Sequence, residues 1–571
     1  MADNEQMSFE FMERKTIKGY PELHWTGKRP YKSTVYYPAQ LKEVYGEPKN
    51  DWINKIFWGD NLQVMSHLLK DYRGKIDLIY IDPPFDSKAD YKKKIRLKGK
   101  EILNDQSTFE EKQYGDIWTN DEYLQFMYER LILLKELLSN TGTLYLHCDY
   151  HRVHQLRCLC DEVFGPGNFL NEIIWQYYMG GKGKKEFAKK HDNILVYTKT
   201  SEYTFNKFNI KRYYDFKPSL IDESANAQSG KDDIGYWGMV ACPDVWQIKG
   251  VFNMGAEYLS YPTQKPEGLI ERIIKASSNP GDIVFDCFMG SGTTQAVAMK
   301  LGRRFIGADI NLGAIQTTTK RLINVANELN SQIGSEDKYT GFEVYNVNNY
   351  DLFRNPVEAR DLILQALEVQ PYETSNVYDG EKDGRMIKIM PVNRIATKAD
   401  LQGILSNLPY KQFDRVKEEN PGAIVLKLTL VCMGHESDLA AALKQELSQY
   451  KTDIDVVDIL HDRADLQFKR DSEADIVIEG NELVIKNFYP LNLMQKLSLD
   501  KETVDEWRQL VESVMIDFNY DGAVMQPTTI DLPDKDKMVA GRYKIPSDAG
   551  IIRVKITDVL SESLEVEVQN G

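Results

Sequence analysis

The chain has 571 residues, 42 % of them hydrophobic, and a formal net charge of −15 at pH 7. It is long enough to bury more than one core, so two or three domains are expected. No apolar run reaches the roughly 18 residues of a membrane-crossing helix, and the acidic, polar start lacks the apolar core of a secretory leader; a cytoplasmic protein with no membrane partner is expected.

In chain order, the first clear element is the apolar run Ile76-Asp77-Leu78-Ile79-Tyr80-Ile81, which predicts a buried strand cut off by Asp82-Pro83-Pro84-Phe85. Paired prolines lack N–H donors and fix φ, so the backbone there is rigid and its carbonyls can accept. An acid, a proline carbonyl and an aromatic face therefore meet at a strand's C-terminal edge, where open α/β sheets bind ligands. An ordinary proline turn is the plain alternative for this tetrapeptide by itself. Residues 122–138 carry apolar side chains at helical spacing, and residues 143–147 and 192–197 predict two further strands. Between them, from Trp175 onward, the pattern turns irregular, basic and glycine-rich, and residues 200–258 scatter aromatics among polar residues.

A second motif follows. Residues 283–286 predict a short strand, Gly290-Ser291-Gly292 a tight turn, and Thr293-Thr294 the start of a helix of small residues. Glycines let a backbone pass close to a ligand, and a helix N-terminus offers unpaired N–H groups. Residues 304–309 predict the next strand, ending in Asp309, where an acid can take the hydroxyls of a ribose. The third glycine of a nicotinamide-dinucleotide fingerprint is absent. Together these elements predict an α/β fold with a mostly parallel sheet.

Past the polar stretch 330–340 no catalytic motif occurs. Residues 357–369 and 439–450 predict helices, 423–432 a buried strand, 474–478 and 482–486 a hairpin around Gly480-Asn481, and 514–568 a small β-rich module. Residues 341–571 carry about −15 of the net charge, which leaves residues 1–340 near neutral. Inside that neutral part lie two basic clusters. One holds Lys92, Lys93, Lys94 and Arg96. The other holds Lys182, Lys184 and Lys185 and runs on to Lys189, Lys190, Lys207, Lys211, Arg212 and Lys217. Such patches suit phosphate neutralisation; a solvated lysine face is the alternative. Cys148, Cys158 and Cys160 lie near His147, His151 and His154, but the spacing fits no standard zinc pattern, and no metal is expected.

Taken together, Asp82-Pro83-Pro84-Phe85, Asp286 to Thr294, Thr263-Gln264-Lys265-Pro266 and Gly59-Asp60-Asn61 resemble the S-adenosylmethionine-dependent amino methyltransferases of DNA, in the permuted form with the catalytic motif first. The resemblance covers roughly residues 50–330. Phe85 stands where many members have Tyr. Glu22 to Arg29, residues 145–149 and the long C-terminal extension further resemble the modification subunits of type III restriction systems.

The resemblance implies a Rossmann-like methyltransferase. Residues 1–50 would form an N-terminal arm, 51–175 a catalytic half, 176–258 an inserted target-recognition segment, and 259–335 a cofactor-binding half. Residues 341–571 would be an acidic α+β or β-rich extension that meets protein or clamps DNA. It implies that Asp82, Pro83, Pro84 and Phe85 act on an extruded base: Asp82 and the Pro83 carbonyl accept the amine hydrogens, and Phe85 stacks. It also implies that Asp60, Asn61, Thr263, Lys265, Asp286, Phe288, Gly290, Gly292, Thr293, Thr294 and Asp309 hold S-adenosylmethionine. Asp at the first catalytic position leans toward adenine N6, with cytosine N4 or a non-catalytic recognition subunit as alternatives. The implied partners are double-stranded DNA, a helicase-endonuclease subunit and a second copy of the chain.

Overall fold

The computed structural model describes residues 8–11, 19–84, 94–97, 100–103, 120–177, 187–215, 229–251, 257–259, 261, 264–331, 338–347, 360, 364, 369–372, 378–382, 384–390, 396, 398–406, 408–420, 422–432, 439–458, 472–491, 493–494, 506–533, 537–559 and 562–569. Ten strands form its principal sheet: β1 (Gln40–Tyr45), β2 (Asn54–Trp58), β3 (Ile76–Ile81), β4 (Leu138–Cys148), β5 (Phe169–Gln176), β6 (His191–Thr198), β7 (Val245–Gln247), β8 (Ile283–Asp286), β9 (Arg304–Asp309) and β10 (Phe342–Asn346). Their spatial order is β7-β5-β6-β4-β3-β8-β9-β2-β10-β1. The run from β4 to β10 is parallel throughout, while β6 and β1 pair antiparallel with their neighbours.

Central parallel strands are covered on both faces, so their residues alternate between two cores rather than between core and water. Ile79, Ile81, Phe285, Ile306 and Leu146 face one core. Leu78, Tyr80, Val284, Phe305 and Tyr145 face the other. Helices α1 (Asn61–Tyr72), α2 (Asn120–Leu137) and α3 (Val153–Phe164) close the first core through residues such as Leu68, Leu131 and Leu159. Helices α4 (Glu267–Ser277), α5 (Thr293–Lys300) and α6 (Leu312–Asn330) close the second through Ile273, Val297 and Leu322. From β3 the chain runs to β4 on one side, and from β8 it runs to β9 on the other. The connections therefore diverge between β3 and β8, the place where a crevice opens at the C-terminal edge of such a sheet.

The strand expected at residues 76–81 is β3, and the helix expected at 122–138 is α2. The helix expected at 357–369 falls largely outside the described residues. The domain boundaries differ from those drawn on the sequence. Contacts divide the chain into one unit of residues 1–347, 474–488 and 504–571, and a second of residues 348–473 and 489–503. The N-terminal arm supplies the edge strand β1, and Trp25 joins the first core. Residues 176–258, expected from the sequence to hold target recognition, contribute β6 and β7 to the principal sheet; the interval also includes a separate three-stranded sheet of Asn209–Tyr214, Tyr236–Ala241 and Ser229–Lys231.

Nor is the acidic extension one body. Its last strands, among them Val511–Asp517 and Ile551–Asp558, pack against β1 in the first unit. The Val44 N–H donates to the Met525 carbonyl and the Met525 N–H to the Lys42 carbonyl across that junction, and the buried pair Lys555 and Glu43 closes it with Tyr45 donating to the same carboxylate at 2.7 Å. An unpaired edge strand is a template for aggregation, and covering β1 removes that exposure. The second unit is a small α/β body of its own. Arg385–Ile389, Leu426–Cys432 and Thr452–Asp458 run parallel, and helices Lys398–Leu405, Tyr410–Glu419 and Leu439–Glu446 help bury Leu428, Leu430 and Phe413. Among the described residues no helix is long and apolar enough to cross a membrane.

Gln295 on α5 is fully buried, and neither side-chain amide atom has a hydrogen-bond partner among the described residues. It lies against Gly307 of β9, whose missing Cβ makes room for the amide. An unsatisfied buried polar group costs about 1–3 kcal/mol. Gln295→Met keeps the length and removes the amide, so it should raise stability by about 1 kcal/mol, read as a shift in urea midpoint at unchanged slope.

Candidate active site

Three carboxylates end three neighbouring parallel strands. Asp82 follows β3, Asp286 closes β8 and Asp309 closes β9. Beside them, Asp60 follows β2 and begins α1. The four positions the sequence singled out on separate stretches thus share one sheet edge, because parallel strands all point their C-termini the same way.

Asp82 is the least satisfied of the four. Its Oδ2 forms an ion pair with the Lys265 ammonium, which comes from the segment just before α4. Its Oδ1 is buried with no hydrogen-bond partner among the described residues. A buried carboxylate oxygen without a donor is costly, and it suits a site that expects a donor from outside. Pro83 is buried and Pro84 half-buried beside it. Phe85 lies outside the described residues, as do Thr263, Lys92, Lys93, Lys182, Lys184 and Lys185; Lys94 and Arg96 lie on a hairpin strand, Lys94–Leu97, whose side chains are outside the described set.

Asp286 is buried beneath the glycine turn. It accepts from the Phe288 backbone N–H at 3.0 Å and from the Thr294 hydroxyl at 2.6 Å. Burial raises its carboxyl to about 7 against those two bonds, with the charges of Asp82 and Asp309 adding to the rise. Asp309 accepts from the Gly290 N–H and the Asn311 N–H, both at 2.9 Å, and burial raises it to about 6. Its two oxygens brace the turn and retain accepting capacity, since an ionised carboxylate has about four lone-pair sites.

The turn itself needs its glycines. Gly290 has φ +49° and Gly292 φ +70°, both in the left-handed region. A Cβ on Gly290 would lie 3.2 Å from the Tyr261 ring, and one on Gly292 would lie 2.5 Å from the Thr318 methyl. Gly292 also caps α5 without any side-chain bond to the helix N–H groups. Thr293 receives Arg321 at 2.8 Å and donates to the Lys265 carbonyl at 3.3 Å, which ties the turn to the lysine segment. Arg321 and Lys300 both pair with Glu267 at the start of α4.

Asp60 and Asn61 are bound into the scaffold. Asp60 accepts from the Leu62 N–H at 2.8 Å and pairs with Arg130 of α2 at 2.9 Å. Asn61 accepts from Arg130 at 2.5 Å and donates to the Cys287 carbonyl at 3.1 Å. The sequence reading missed Arg130 and Arg321, and it missed the pairing of Lys265 with Asp82. Contacts of this kind join residues far apart in the chain, and no local spacing signals them. Among the described residues no cluster of His, Cys, Asp and Glu could hold a metal ion. Strand alternation sends Cys148 into the first core and His147 to the opposite face, where its Nδ1 lies 2.9 Å from the Tyr80 hydroxyl.

Residues 76–320 match the family described as DNA methylase, of N6 and N4 type. The chain is 32 % identical over 246 residues to the type II methyltransferase M1.MboII of Moraxella bovis, covering 41 % of this chain and 85 % of that protein. It is 30 % identical over 271 residues to the DNA adenine methyltransferase YhdJ of Escherichia coli K12, covering 47 % and 82 %. It is 26 % identical over 353 residues to the Mod subunit of the type III restriction-modification enzyme StyLTI of Salmonella typhimurium, covering 47 % of this chain and 53 % of that one.

Gly292→Ala would force a side chain into the left-handed region and against Thr318. The expected loss is about 1–3 kcal/mol, seen as a lower thermal midpoint.

Proposed function

The chain belongs to the N6 and N4 DNA methylase family, and we propose that it is a site-specific methyltransferase that uses S-adenosylmethionine to modify the exocyclic N6 of adenine in duplex DNA. The observation that carries this reading is the buried Oδ1 of Asp82, without a hydrogen-bond partner among the described residues, at the divergence between β3 and β8. S-adenosylmethionine, when bound, supplies an electrophilic methyl group on a positively charged sulfur. The residues present fit such a ligand. Gly290 and Gly292 give the left-handed backbone that the turn before α5 requires, α5 begins with no side-chain cap on its N–H groups, and Asp286 and Asp309 are acceptors that a cation or a ribose hydroxyl would favour in their ionised forms.

The exocyclic amine of a base is a weak nucleophile because its lone pair is delocalised into the ring. Asp82 accepts one amine hydrogen and the Pro83 carbonyl the other, which draws the nitrogen toward tetrahedral geometry and frees its lone pair. Positioning of this kind contributes several kcal/mol. The amine is out of reach inside a duplex, so the base is extruded, and Phe85 offers it a stacking face. Lys92, Lys93, Lys94, Arg96, Lys182, Lys184 and Lys185 supply charge for the phosphates on either side. Similarity to a type III Mod subunit supports the further reading that the chain is the modification subunit of a restriction system; a cytoplasmic location, a homodimer and a helicase-endonuclease partner are proposed with it.

Purified protein, S-adenosylmethionine and unmethylated DNA should yield N6-methyladenine by mass spectrometry of the digested nucleosides. Asp82→Ala should lower the rate about 10²-fold or more while cofactor affinity stays near normal. N4-methylcytosine would keep the chemistry and overturn the base; no product with cofactor bound would overturn the reading for the isolated chain.

Cofactor affinity should depend on pH with a definite sign. Asp286 and Asp309 are neutral below about 6–7 and ionised above, and the ionised forms bind hydroxyls and cations better. Affinity should rise between roughly pH 5.5 and 7.5, with proton release seen as a buffer-dependent binding enthalpy. For the protein without ligand the same shifts act oppositely. Both folded pKa values lie above the ordinary carboxylate value, so this stability is present at low pH and is lost as pH rises through them.

A further inference from the structure

Helix α6 joins two parts of the chain that are far apart in sequence. It begins just after Asp309, where the Asn311 side chain accepts from the Ala314 N–H at 3.2 Å, and it buries Ile315 and Leu322 in the second core. One side of the helix holds the glycine turn. The Thr318 hydroxyl donates to the Gly290 carbonyl at 3.0 Å, and Arg321 donates to the Ser291 carbonyl at 3.2 Å and to the Thr293 hydroxyl at 2.8 Å.

Gln316 and Lys320 stand one turn apart, roughly 150° round the axis from that side at 3.6 residues per turn. They meet the last strands of the chain. The Gln316 amide donates to the Ser563 hydroxyl at 2.7 Å, and the Lys320 ammonium pairs with Glu512 at 3.1 Å. Those strands are themselves braced. The Ser563 hydroxyl lies 2.9 Å from that of Thr557 on the paired strand Ile551–Asp558, and Met515 of Val511–Asp517 is buried in the second core. The helix is therefore gripped between a fixed sheet and the turn, and a close-packed interior passes displacement from one side to the other.

We propose that Gln316 and Lys320, held by Ser563 and Glu512, are positioning residues for the cofactor. Through α6 the last strands of the chain set where Thr318 and Arg321 hold the turn, and so set the affinity for S-adenosylmethionine. The inference rests on the reading of that turn as the cofactor site. Thr318 and Arg321 grip backbone carbonyls of Gly290 and Ser291, so a rotation of α6 would pull on those carbonyls and re-aim the N–H groups that open α5. The four residues act across the helix from the turn, which places their effect on binding rather than on transfer. The two contacts span 247 and 192 residues, and no local pattern marks them.

The test is a charge swap in the full chain: Lys320→Glu, Glu512→Lys and both together. The two side chains are 30 % and 34 % exposed, so reversal disturbs no core. In calorimetric titration with S-adenosylmethionine each single variant should bind about 3- to 5-fold more weakly, the size of one partly exposed ion pair, and the double variant should regain most of the loss. Turnover at saturating cofactor should stay at the wild-type value. The second readout needs no ligand. Amide hydrogen exchange in peptides covering residues 287–296 should be faster in each single variant and return toward wild type in the double, with the peptides of β3 and β4 unchanged.

Wild-type affinity in both single variants would overturn the proposal. So would a double variant whose losses simply add, since two residues acting through one contact must compensate. A lowered thermal midpoint with unchanged affinity would make the contact merely structural and overturn it as well. Exchange that follows the swap in a protein that binds no S-adenosylmethionine would uphold the link from the last strands to the turn and sink the cofactor reading instead. Should the charge reversals fail to fold, Ser563→Ala removes a single hydroxyl and should move both readouts in the same directions by smaller factors; no movement in either would overturn the proposal.

Discussion

Asp82, Asp286 and Asp309 end three adjacent parallel strands, and like charges brought together in a poorly solvated sheet edge repel unless they are paired, hydrogen-bonded or protonated. The surrounding structure answers each in a different way. Asp82 takes Lys265; Asp286 takes a threonine hydroxyl and a backbone N–H and is held toward its neutral form; Asp309 takes two backbone N–H groups of the turn and the following loop. Asp82 keeps a buried oxygen with no hydrogen-bond partner among the described residues, while burial raises the carboxyls of Asp286 and Asp309 to about 7 and about 6.

The glycine turn is the mechanical counterpart of that arrangement. Left-handed backbone at Gly290 and Gly292 folds the chain back over Asp286 and aims the start of α5 at the crevice. Thr318 and Tyr261 fill the space where side chains would have stood, so the turn is packed as well as tight. Arg321 then links Ser291, Thr293 and Glu267, and Thr293 reaches the Lys265 carbonyl. A displacement of the turn would thus be felt at the segment that carries the counter-ion of Asp82.

Far from the site, the last strands of the chain cover the antiparallel edge strand β1 with a buried Lys555–Glu43 pair at the junction. An ion pair in such a place is weak evidence for stability, but losing one partner strands the other, so the register of that contact is well specified. The acidic excess of residues 341–571 is therefore spread over two bodies, each with a core of its own, one of them built onto the methyltransferase sheet.

The amino-acid order alone was enough for β3 and its abrupt end, the strand–turn–helix–strand around Gly290 and Gly292, and helix α2, because these depend on period, proline and glycine within a few residues. It was also enough to single out Asp82, Asp286 and Asp309 as acids at strand ends. Folding decided the rest. The pairing of Lys265 with Asp82 spans 183 residues, and that of Arg130 with Asp60 spans 70. The return of residues 504–571 to the first unit joins positions nearly a chain length apart. Local pattern carries backbone preference and the face each residue turns to. It carries no information about which distant carboxylate a lysine will meet, since that is set only when parallel strands bring their ends to one edge and burial forces each charge to find a partner.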